Sequence, residues 1–334
     1  MIVNIKGERH DRNFVFALAI IIVGLLFGRV LRALLDKGQI ESPKKMHTIL
    51  KQCTMTALLL VNPIIILGAF WFVEMDDIRL IYIPILGALA ISLGGGLALY
   101  TAKLLKLDRK KQGSMFASGT FTNLGSFGAL FCFVFLGEAS LAFVALFRLF
   151  EDLIYYAVGF PVAQSFGDRK QEARSESMWA RVIRNPFFLV TIFAIVTGAA
   201  LNVSPIERPD LYADLNRVLV PIFTILLVVP TGFNLRVSKL KGFLKESLTV
   251  ASIKYIIVPV SITLLALLLG LKEYYEGIAF KAILILAAMP PGFTSLVPPQ
   301  LFNLDQDLAN SSWFINTVLL IVVLPIIFLV VVIL

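Results

Sequence analysis

The sequence predicts an all-α polytopic membrane protein, with ten transmembrane helices in two inverted five-helix repeats and with broken, crossed helices 4 and 9. Hydrophobic residues make up 58% of the chain and the mean hydropathy is +0.86, whereas soluble domains are about half apolar. The apolar residues fall into runs of the length that crosses a bilayer as a helix, about 20 residues. Each half of the chain also carries a helix-breaking polar patch within one apolar run.

Ten apolar runs are candidate membrane spans, and charged or turn-forming segments separate them. The first repeat, residues 14–165, is predicted to hold spans at about 14–35, 50–72, 80–104, 112–136 and 140–161. The second repeat, residues 185–334, is predicted to hold spans at about 186–202, 217–234, 247–270, 279–300 and 311–333. Because five spans are an odd number, the second repeat enters the membrane from the opposite side. A cytoplasmic linker at 166–184 joins the two repeats, and it is predicted to include an interfacial helix, with an ordinary loop anchored by one Trp as the alternative.

Basic residues are concentrated in one set of predicted loops. Most of the 30 Lys and Arg residues fall in the segments 29–51, 103–111, 166–184 and 234–245. By the positive-inside rule these segments are cytoplasmic, so both termini are expected on the extracytoplasmic side of the plasma membrane. This topology also accounts for the net charge of +8, so nucleic acid is not an expected partner. Membrane lipids are expected partners, and a homodimer is left open.

The first polar patch interrupts span four at residues 118–128. It combines three glycines and several hydroxyl side chains with the amide of Asn123. Glycine weakens a helix by about 1 kcal/mol relative to alanine and lets backbones approach closely. Small residues also mark ordinary helix–helix packing in membranes, which is the alternative interpretation. An amide among glycines favours a broken helix that coordinates a solute or a crossing backbone.

The second polar patch interrupts span nine at residues 289–299, where two Pro-Pro pairs occur. Each proline removes a backbone donor and disrupts the preceding turn, and it also keeps the residue before it out of the α region. The sequence therefore predicts a break that extends over Pro290, Pro291, Pro298 and Pro299. The hydroxyls of Thr294 and Ser295 are expected to bind backbone groups that the break sets free.

Interrupted helices at matching positions of two repeats predict a substrate site near the membrane midplane. Half-helix N-termini that point inward carry partial positive charge, which attracts carboxylates. Cys53 and Cys132 lie in apolar runs, and both histidines lie outside the spans. The sequence therefore predicts no metal site and no cofactor.

At these patches the chain resembles the auxin efflux carrier family of membrane transporters. The similarity rests on Asn123-Leu124-Gly125-Ser126-Phe127-Gly128 in span four and on Ala287-Ala288-Met289-Pro290 in span nine. Further matches are Asn62-Pro63, Asp307-Leu308-Ala309 and Pro325. The chain departs from the family pattern at Leu130, where a proline is frequent, and at Thr294 and Ser295, near which the family has an amide.

The resemblance implies ten helices in two inverted repeats, crossed broken helices, and export or uptake of organic anions. It also implies a scaffold of helices 1, 2, 6 and 7 and a moving transport domain of helices 3–5 and 8–10. From the patches and the resemblance together, the predicted substrate-binding residues are Thr120, Thr122, Asn123, Gly125, Ser126, Pro290, Pro291, Thr294 and Ser295.

Charged residues inside membrane spans are costly and are therefore candidates for function. Arg148, Glu151 and Asp152 fall in span five, at spacings that allow Arg148 to pair with either carboxylate. We predict that these residues couple transport to protons, and a structural salt bridge is the alternative. Lys254 lies within span eight, where snorkelling to the interface is favoured over anion binding.

The favoured function is secondary transport of a small organic anion, a mono- or dicarboxylate, by elevator-type alternating access around the helix 4/9 crossover. A sodium-coupled symporter of the bile-acid type is an alternative, because hydroxyls at Thr120, Thr122 and Ser126 suit a hard cation. Sodium coupling ranks below proton coupling and below simple facilitated transport. A transporter-like sensor without flux is a further alternative. An intramembrane enzyme is disfavoured, because the chain lacks HExxH and GxSxG motifs.

Overall fold

The computed structural model describes residues 2–39, 42–73, 77–167, 184, 186–234 and 240–334. Over these ranges the chain is helical, and its one β-type feature is an isolated bridge between two single residues. This agrees with the predicted all-α class. The interfacial helix predicted for the linker lies outside the described residues.

The helices below are named in chain order, within the ranges just given. The α-helices are α1 (Ile2–Asp36), α2 (Pro43–Thr56), α3 (Asn62–Phe72), α4 (Tyr82–Leu104), α5 (Arg109–Thr120), α6 (Ala129–Leu136), α7 (Ser140–Phe147), α8 (Glu151–Ile154), α9 (Phe160–Ser165), α10 (Pro186–Asn202), α11 (Leu211–Asn234), α12 (Leu244–Ser252), α13 (Val258–Leu268), α14 (Ile278–Ala287), α15 (Val297–Leu301) and α16 (Gln306–Ile333). The π-helical turns are Ala57–Val61, Leu124–Gly128, Tyr155–Gly159 and Ile253–Ile257. The 3₁₀ turns are Ile78–Ile81, Leu240–Phe243, Tyr274–Gly277 and Phe293–Leu296.

Six stretches of the described chain are long and apolar enough to cross a membrane: Val15–Asp36, Pro43–Phe72, Ile78–Leu104, Leu211–Asn234, Leu244–Leu268 and Gln306–Ile333. They coincide with predicted spans one, two, three, seven, eight and ten. Predicted span six is the shorter apolar helix α10, and predicted spans four, five and nine are each interrupted. The chain is therefore a multi-pass helical membrane protein, while ten crossings and an inverted repeat stay predictions.

Prolines explain three of the π-helical turns. Pro63, Pro161 and Pro259 each stand at the second position of the α-helix that follows such a turn. A proline ring clashes with the carbonyl four residues earlier and has no N–H to bond to it. The widened turn moves that carbonyl aside, so the helix continues past the proline instead of ending.

The chain divides into two compact units. The first comprises Met1–Asp76, Ala129–Ala142 and Pro186–Leu235. In this unit α1 packs along α11, and α3 packs along α10. The second contact needs a glycine, because a Cβ on Gly198 would lie 2.5 Å from the carbonyl oxygen of Leu67.

A largely buried ion pair fixes the turn after α6 within the first unit. Arg208 Nη2 lies 2.6 Å from Glu138 Oε1, and the Asn216 amide donates a 2.5 Å hydrogen bond to the same oxygen. The Arg208 guanidinium also lies over the rings of Phe72 and Tyr212, 4.9 and 5.3 Å from their centroids. These contacts connect the turn to α3 and α11.

The second unit comprises Asp77–Gly128, Phe143–Asn185 and Arg236–Leu334. In this unit α4 packs against α5, and α12 packs against α16. Helices α4 and α5 approach closely because Gly94 and Gly119 face each other, and a Cβ on either would lie 2.5 Å from the other's carbonyl oxygen. Every predicted substrate-binding residue falls in this unit.

Candidate functional site

The first interrupted segment lies between α5 and α6. Helix α5 ends at Thr120, and Phe121 is extended, with φ −81° and ψ 107°. Asn123 then begins the next helical stretch, because its side-chain oxygen accepts hydrogen bonds from the Ser126 hydroxyl (2.5 Å) and the Phe127 N–H (3.3 Å). This cap satisfies donors that otherwise stay free at the start of a helix.

The second interrupted segment lies between α14 and α15. Helix α14 ends at Ala287, and Pro290 and Pro291 follow it outside any helix. Pro298 and Pro299 do not extend the break, contrary to the expectation from sequence. They stand in the first turn of α15, where a missing N–H removes no intrahelical hydrogen bond.

The two interrupted segments pair with each other through their main chains. The Asn123 N–H donates a 2.9 Å hydrogen bond to the Pro290 carbonyl, and the Gly292 N–H donates a 2.8 Å bond to the Phe121 carbonyl. Between these bonds lies an antiparallel bridge at Thr122. Backbone groups that each break sets free therefore find partners in the other break. Within the membrane, where water does not supply such partners, this pairing satisfies both segments.

Four predicted substrate-binding residues meet at this pairing: Thr122, Asn123, Pro290 and Pro291. Thr122 and Asn123 are 7% and 9% exposed, so the edge of the pair reaches accessible surface. The Asn123 oxygen serves the helix cap, which leaves its amide NH₂ as the group available to a ligand.

The hydroxyl groups of the other predicted site residues differ in their contacts and exposure. The Thr120 hydroxyl donates a 2.9 Å hydrogen bond to the Phe116 carbonyl of its own helix. Thr294 is exposed in the 3₁₀ turn before α15. Ser295 is buried, and its hydroxyl has no hydrogen-bond partner within the described ranges, so the expected bond to freed backbone does not form there.

The second interrupted segment also packs against α16. The ring of Phe293 meets the ring of Trp313 edge-on, with the centroids 6.5 Å apart and the planes at 90°. Trp313 is 1% exposed. The 3₁₀ turn before α15 therefore packs against the long helix α16 of the same unit.

Span five is interrupted where its charged residues lie, which the sequence analysis did not predict. Helix α7 ends just before Arg148, and α8 begins at Glu151. Arg148 Nε lies 2.6 Å from Glu151 Oε2, so the ion pair forms with Glu151 and not with Asp152. The guanidinium also adjoins the first interrupted segment, because a Cβ on Gly125 would lie 3.1 Å from Arg148 Nη1. The structure therefore brings the predicted coupling residues next to the predicted substrate residues.

Tyr155 is a site residue that the sequence analysis missed. Its buried hydroxyl accepts a 2.8 Å hydrogen bond from the Thr122 N–H and interacts electrostatically with the Glu151 carboxylate. Its ring packs on Phe121, with the centroids 4.4 Å apart. Tyr155 thereby connects the Arg148–Glu151 ion pair to the paired segments. A signal was present in the sequence, because Tyr155 lies four residues after Glu151 and so shares its helix face.

Lys254 lies in the interior of the second unit, so the expected snorkelling to the interface is wrong. Its side chain is 1% exposed, and Nζ donates a 2.5 Å hydrogen bond to Thr122 Oγ1. The residue sits in the π-helical turn Ile253–Ile257, ahead of Pro259. Two buried polar groups from different helices, the Tyr155 hydroxyl and the Lys254 ammonium, therefore converge on Thr122.

The long apolar helices place this protein in the class of multi-pass helical membrane proteins. Two interrupted helices of the protein pair through their backbones. The sequence profile of the family described as "Membrane transport protein" matches residues 60–328, which is most of the chain. The protein therefore belongs to this family of membrane transporters, the auxin efflux carrier family. This confirms the resemblance seen in the motifs that begin at Asn123 and Ala287. No curated protein matches the chain.

Proposed function

We propose that this membrane transporter is a secondary carrier of a small organic anion, a mono- or dicarboxylate, which binds at the paired segments. The observation that best supports this is the pairing of Asn123 with Pro290. Two helical stretches begin directly beside it, at Leu124 and Phe293. Helix starts carry free N–H groups and partial positive charge, and carboxylates are ligands for such groups.

The main substrate contacts in this proposal come from the first segment. The Asn123 amide NH₂ donates to the carboxylate, and the backbone at Gly125 lets it approach closely. Thr122 lies at the same edge, and its hydroxyl accepts from Lys254 Nζ and donates a 3.3 Å hydrogen bond to the Thr120 carbonyl. Ser126 acts indirectly, because its hydroxyl holds the Asn123 side chain in place.

The proposed mechanism is elevator-type alternating access, in which the second unit carries the substrate past the first. The division of the chain supports this, because the first unit contains predicted spans one, two, six and seven. The second unit contains every proposed substrate contact. Residues 129–142 belong to the first unit, although the resemblance assigns helices 4 and 5 to the moving domain.

Proton coupling through Glu151, Asp152 and Arg148 is part of the same proposal. It is supported by the close approach of Arg148 to Gly125, by the hydrogen bond from the Thr122 N–H to Tyr155, and by the electrostatic interaction of Tyr155 with Glu151. Sodium coupling has less support, because Thr122 Oγ1 already accepts a hydrogen bond from an ammonium group. Within the described residues, no group of three or more His, Cys, Asp or Glu side chains is arranged to hold a metal.

We also propose that both termini are extracytoplasmic. The support is the clustering of Lys and Arg between predicted spans, as in the segment 103–111. Replacing Cys53 and Cys132 and adding single cysteines at the exposed positions Lys106 or Glu207 tests it in intact cells. We expect a membrane-impermeant maleimide to label the cysteine at 207 and not the one at 106, and the opposite labelling would reverse the orientation.

The function is tested in two stages with purified protein. First, thermal unfolding is recorded with acetate, benzoate or succinate, in sodium and in choline salts. Second, the carboxylate that stabilises most is offered in radiolabelled form to proteoliposomes, with and without a pH gradient. We expect saturable stabilisation and uptake that a pH gradient accelerates. Absence of both would reject the proposal, and stabilisation without flux would favour a sensor.

A further inference from the structure

Lys254 places a buried amine beside the paired segments, and the proposed function has not yet used this group. Its Nζ donates to Thr122 Oγ1 and would lie 3.4 Å from a Cβ on Gly94. Across the part of the chain that the structure describes, no carboxylate forms an ion pair with it. A charge removed from water without an opposite charge is costly, so this position favours the arrival of an anion.

The other cation beside the paired segments is already neutralised. Arg148 forms its ion pair with Glu151, and the neighbouring Asp152 interacts with those same two residues. Neither of these two carboxylates forms an ion pair with Lys254. Among the described residues next to the pairing, Lys254 is therefore the source of uncompensated positive charge.

The end of α5 offsets only part of that charge. Helix α5 ends at Thr120, two residues before the hydroxyl that Lys254 contacts. The C-terminus of a helix carries roughly −0.5 of an elementary charge, which helps to hold an ammonium group but leaves about half of its charge. The remaining charge acts on a ligand that binds beside Thr122.

We propose that Lys254 supplies the counter-charge for the transported carboxylate and acts through Thr122. This inference rests on the proposed function, since it assumes that an anion binds at the paired segments. Nζ itself is buried while Thr122 reaches accessible surface, so one hydroxyl separates the ammonium from the ligand. Over so short a path in a medium of low dielectric constant, charge attraction is strong. The site therefore selects a carboxylate over an uncharged amide of the same shape.

Matched ligand pairs test this selection: acetate and acetamide, benzoate and benzamide, succinate and succinamide. Binding is measured on the full-length protein for wild type, Lys254→Met and Lys254→Arg. The control is Lys245→Met, which removes an exposed lysine from the adjoining helix α12. We expect Lys254→Met to weaken carboxylate binding roughly 10- to 100-fold, as for a lost charged hydrogen bond. Amide binding should change less than about twofold, and Lys254→Arg should recover part of the affinity.

Two outcomes would overturn the inference. One is wild-type carboxylate affinity in Lys254→Met, and the other is an equal loss of carboxylate and amide, which indicates a structural role. Thr122→Val provides a second test if Lys254→Met does not fold, and we expect it to show the same preferential loss of carboxylate binding. If wild type binds no carboxylate, the proposed function fails as well, so the two failures are distinguishable.

Discussion

The Gly292 N–H donates a 2.8 Å hydrogen bond to the Phe121 carbonyl, and a Cβ on Gly292 would lie 2.9 Å from the carbonyl oxygen of Thr122. The two interrupted helices therefore meet at a glycine, where the second interrupted segment has no side chain. Their contact is made by main-chain atoms that belong to residues far apart in the sequence. A side chain at this one position tests whether the contact matters.

Gly292→Ala should separate the paired segments, because the added methyl group meets rigid backbone. We expect a lower unfolding temperature and at least a tenfold loss of carboxylate uptake in proteoliposomes, the size of effect that about 1.4 kcal/mol produces. Gly96→Ala is the matched control, because its Cβ would meet nothing within 4 Å. Uptake at the wild-type rate in Gly292→Ala would show that the close contact is dispensable.

Asn123→Asp separates the two roles assigned to this side chain. The carboxylate keeps both acceptor bonds of the helix cap, but it replaces the NH₂ donor with negative charge. We expect near-normal thermal stability together with roughly a tenfold or greater loss of carboxylate affinity. Asn123→Ala should lower both the thermal stability and the carboxylate affinity, since removing a helix cap costs about 1 kcal/mol. Carboxylate binding at wild-type strength in Asn123→Asp would exclude the proposed contact.

Glu151→Gln and Asp152→Asn test proton coupling. Each variant removes a titratable carboxyl group beside Arg148 while preserving size, and Glu151→Gln also leaves the guanidinium without its ionic partner. We expect uptake driven by a pH gradient to be lost in at least one variant, while uptake driven by a substrate gradient persists. The measurement is initial uptake at several internal and external pH values. An unaltered pH dependence in both variants would remove the coupling role.

Tyr155→Phe removes the acceptor for the Thr122 N–H and the hydroxyl that interacts with Glu151, while the ring keeps its packing on Phe121. A buried donor left without a partner costs about 1–3 kcal/mol, so we expect a lower unfolding temperature. We also expect a changed pH profile of uptake, because the link from Glu151 to the paired segments is cut. The control is Tyr156→Phe, whose ring stacks on Phe160. A pH profile that does not differ between the two variants would limit Tyr155 to a structural role.

Local chemistry explains why the positions of both breaks were predictable. Glycines near Asn123 and the Pro290–Pro291 pair act within one helical turn, so their effect follows from the sequence alone. Whether Pro298 and Pro299 interrupt a helix depends on their position within that helix. At the start of a helix the same residues are favourable, and no local pattern indicated that α15 begins there.

Contacts between distant segments explain which features of the structure could not be predicted from the sequence. The bond from Asn123 to Pro290 depends on how two helices cross, which no single segment encodes. Whether the Lys254 side chain points inward depends on which face of its helix is turned toward the interior. The π-helical turn at Ile253–Ile257 shifts that face by one residue. The break at Arg148, between α7 and α8, is likewise marked by no glycine or proline within the turn, so the sequence did not predict it.

The edge-on contact of Trp313 with Phe293 gives the second interrupted segment an optical reporter of its own. Indole emission shifts with the polarity of its surroundings, and this indole is buried against the turn that precedes α15. Replacing Trp71 and Trp179 with phenylalanine would leave Trp313 as the single source of tryptophan fluorescence. Spectral changes on adding a solute would then follow movement of that turn in unlabelled protein, in real time.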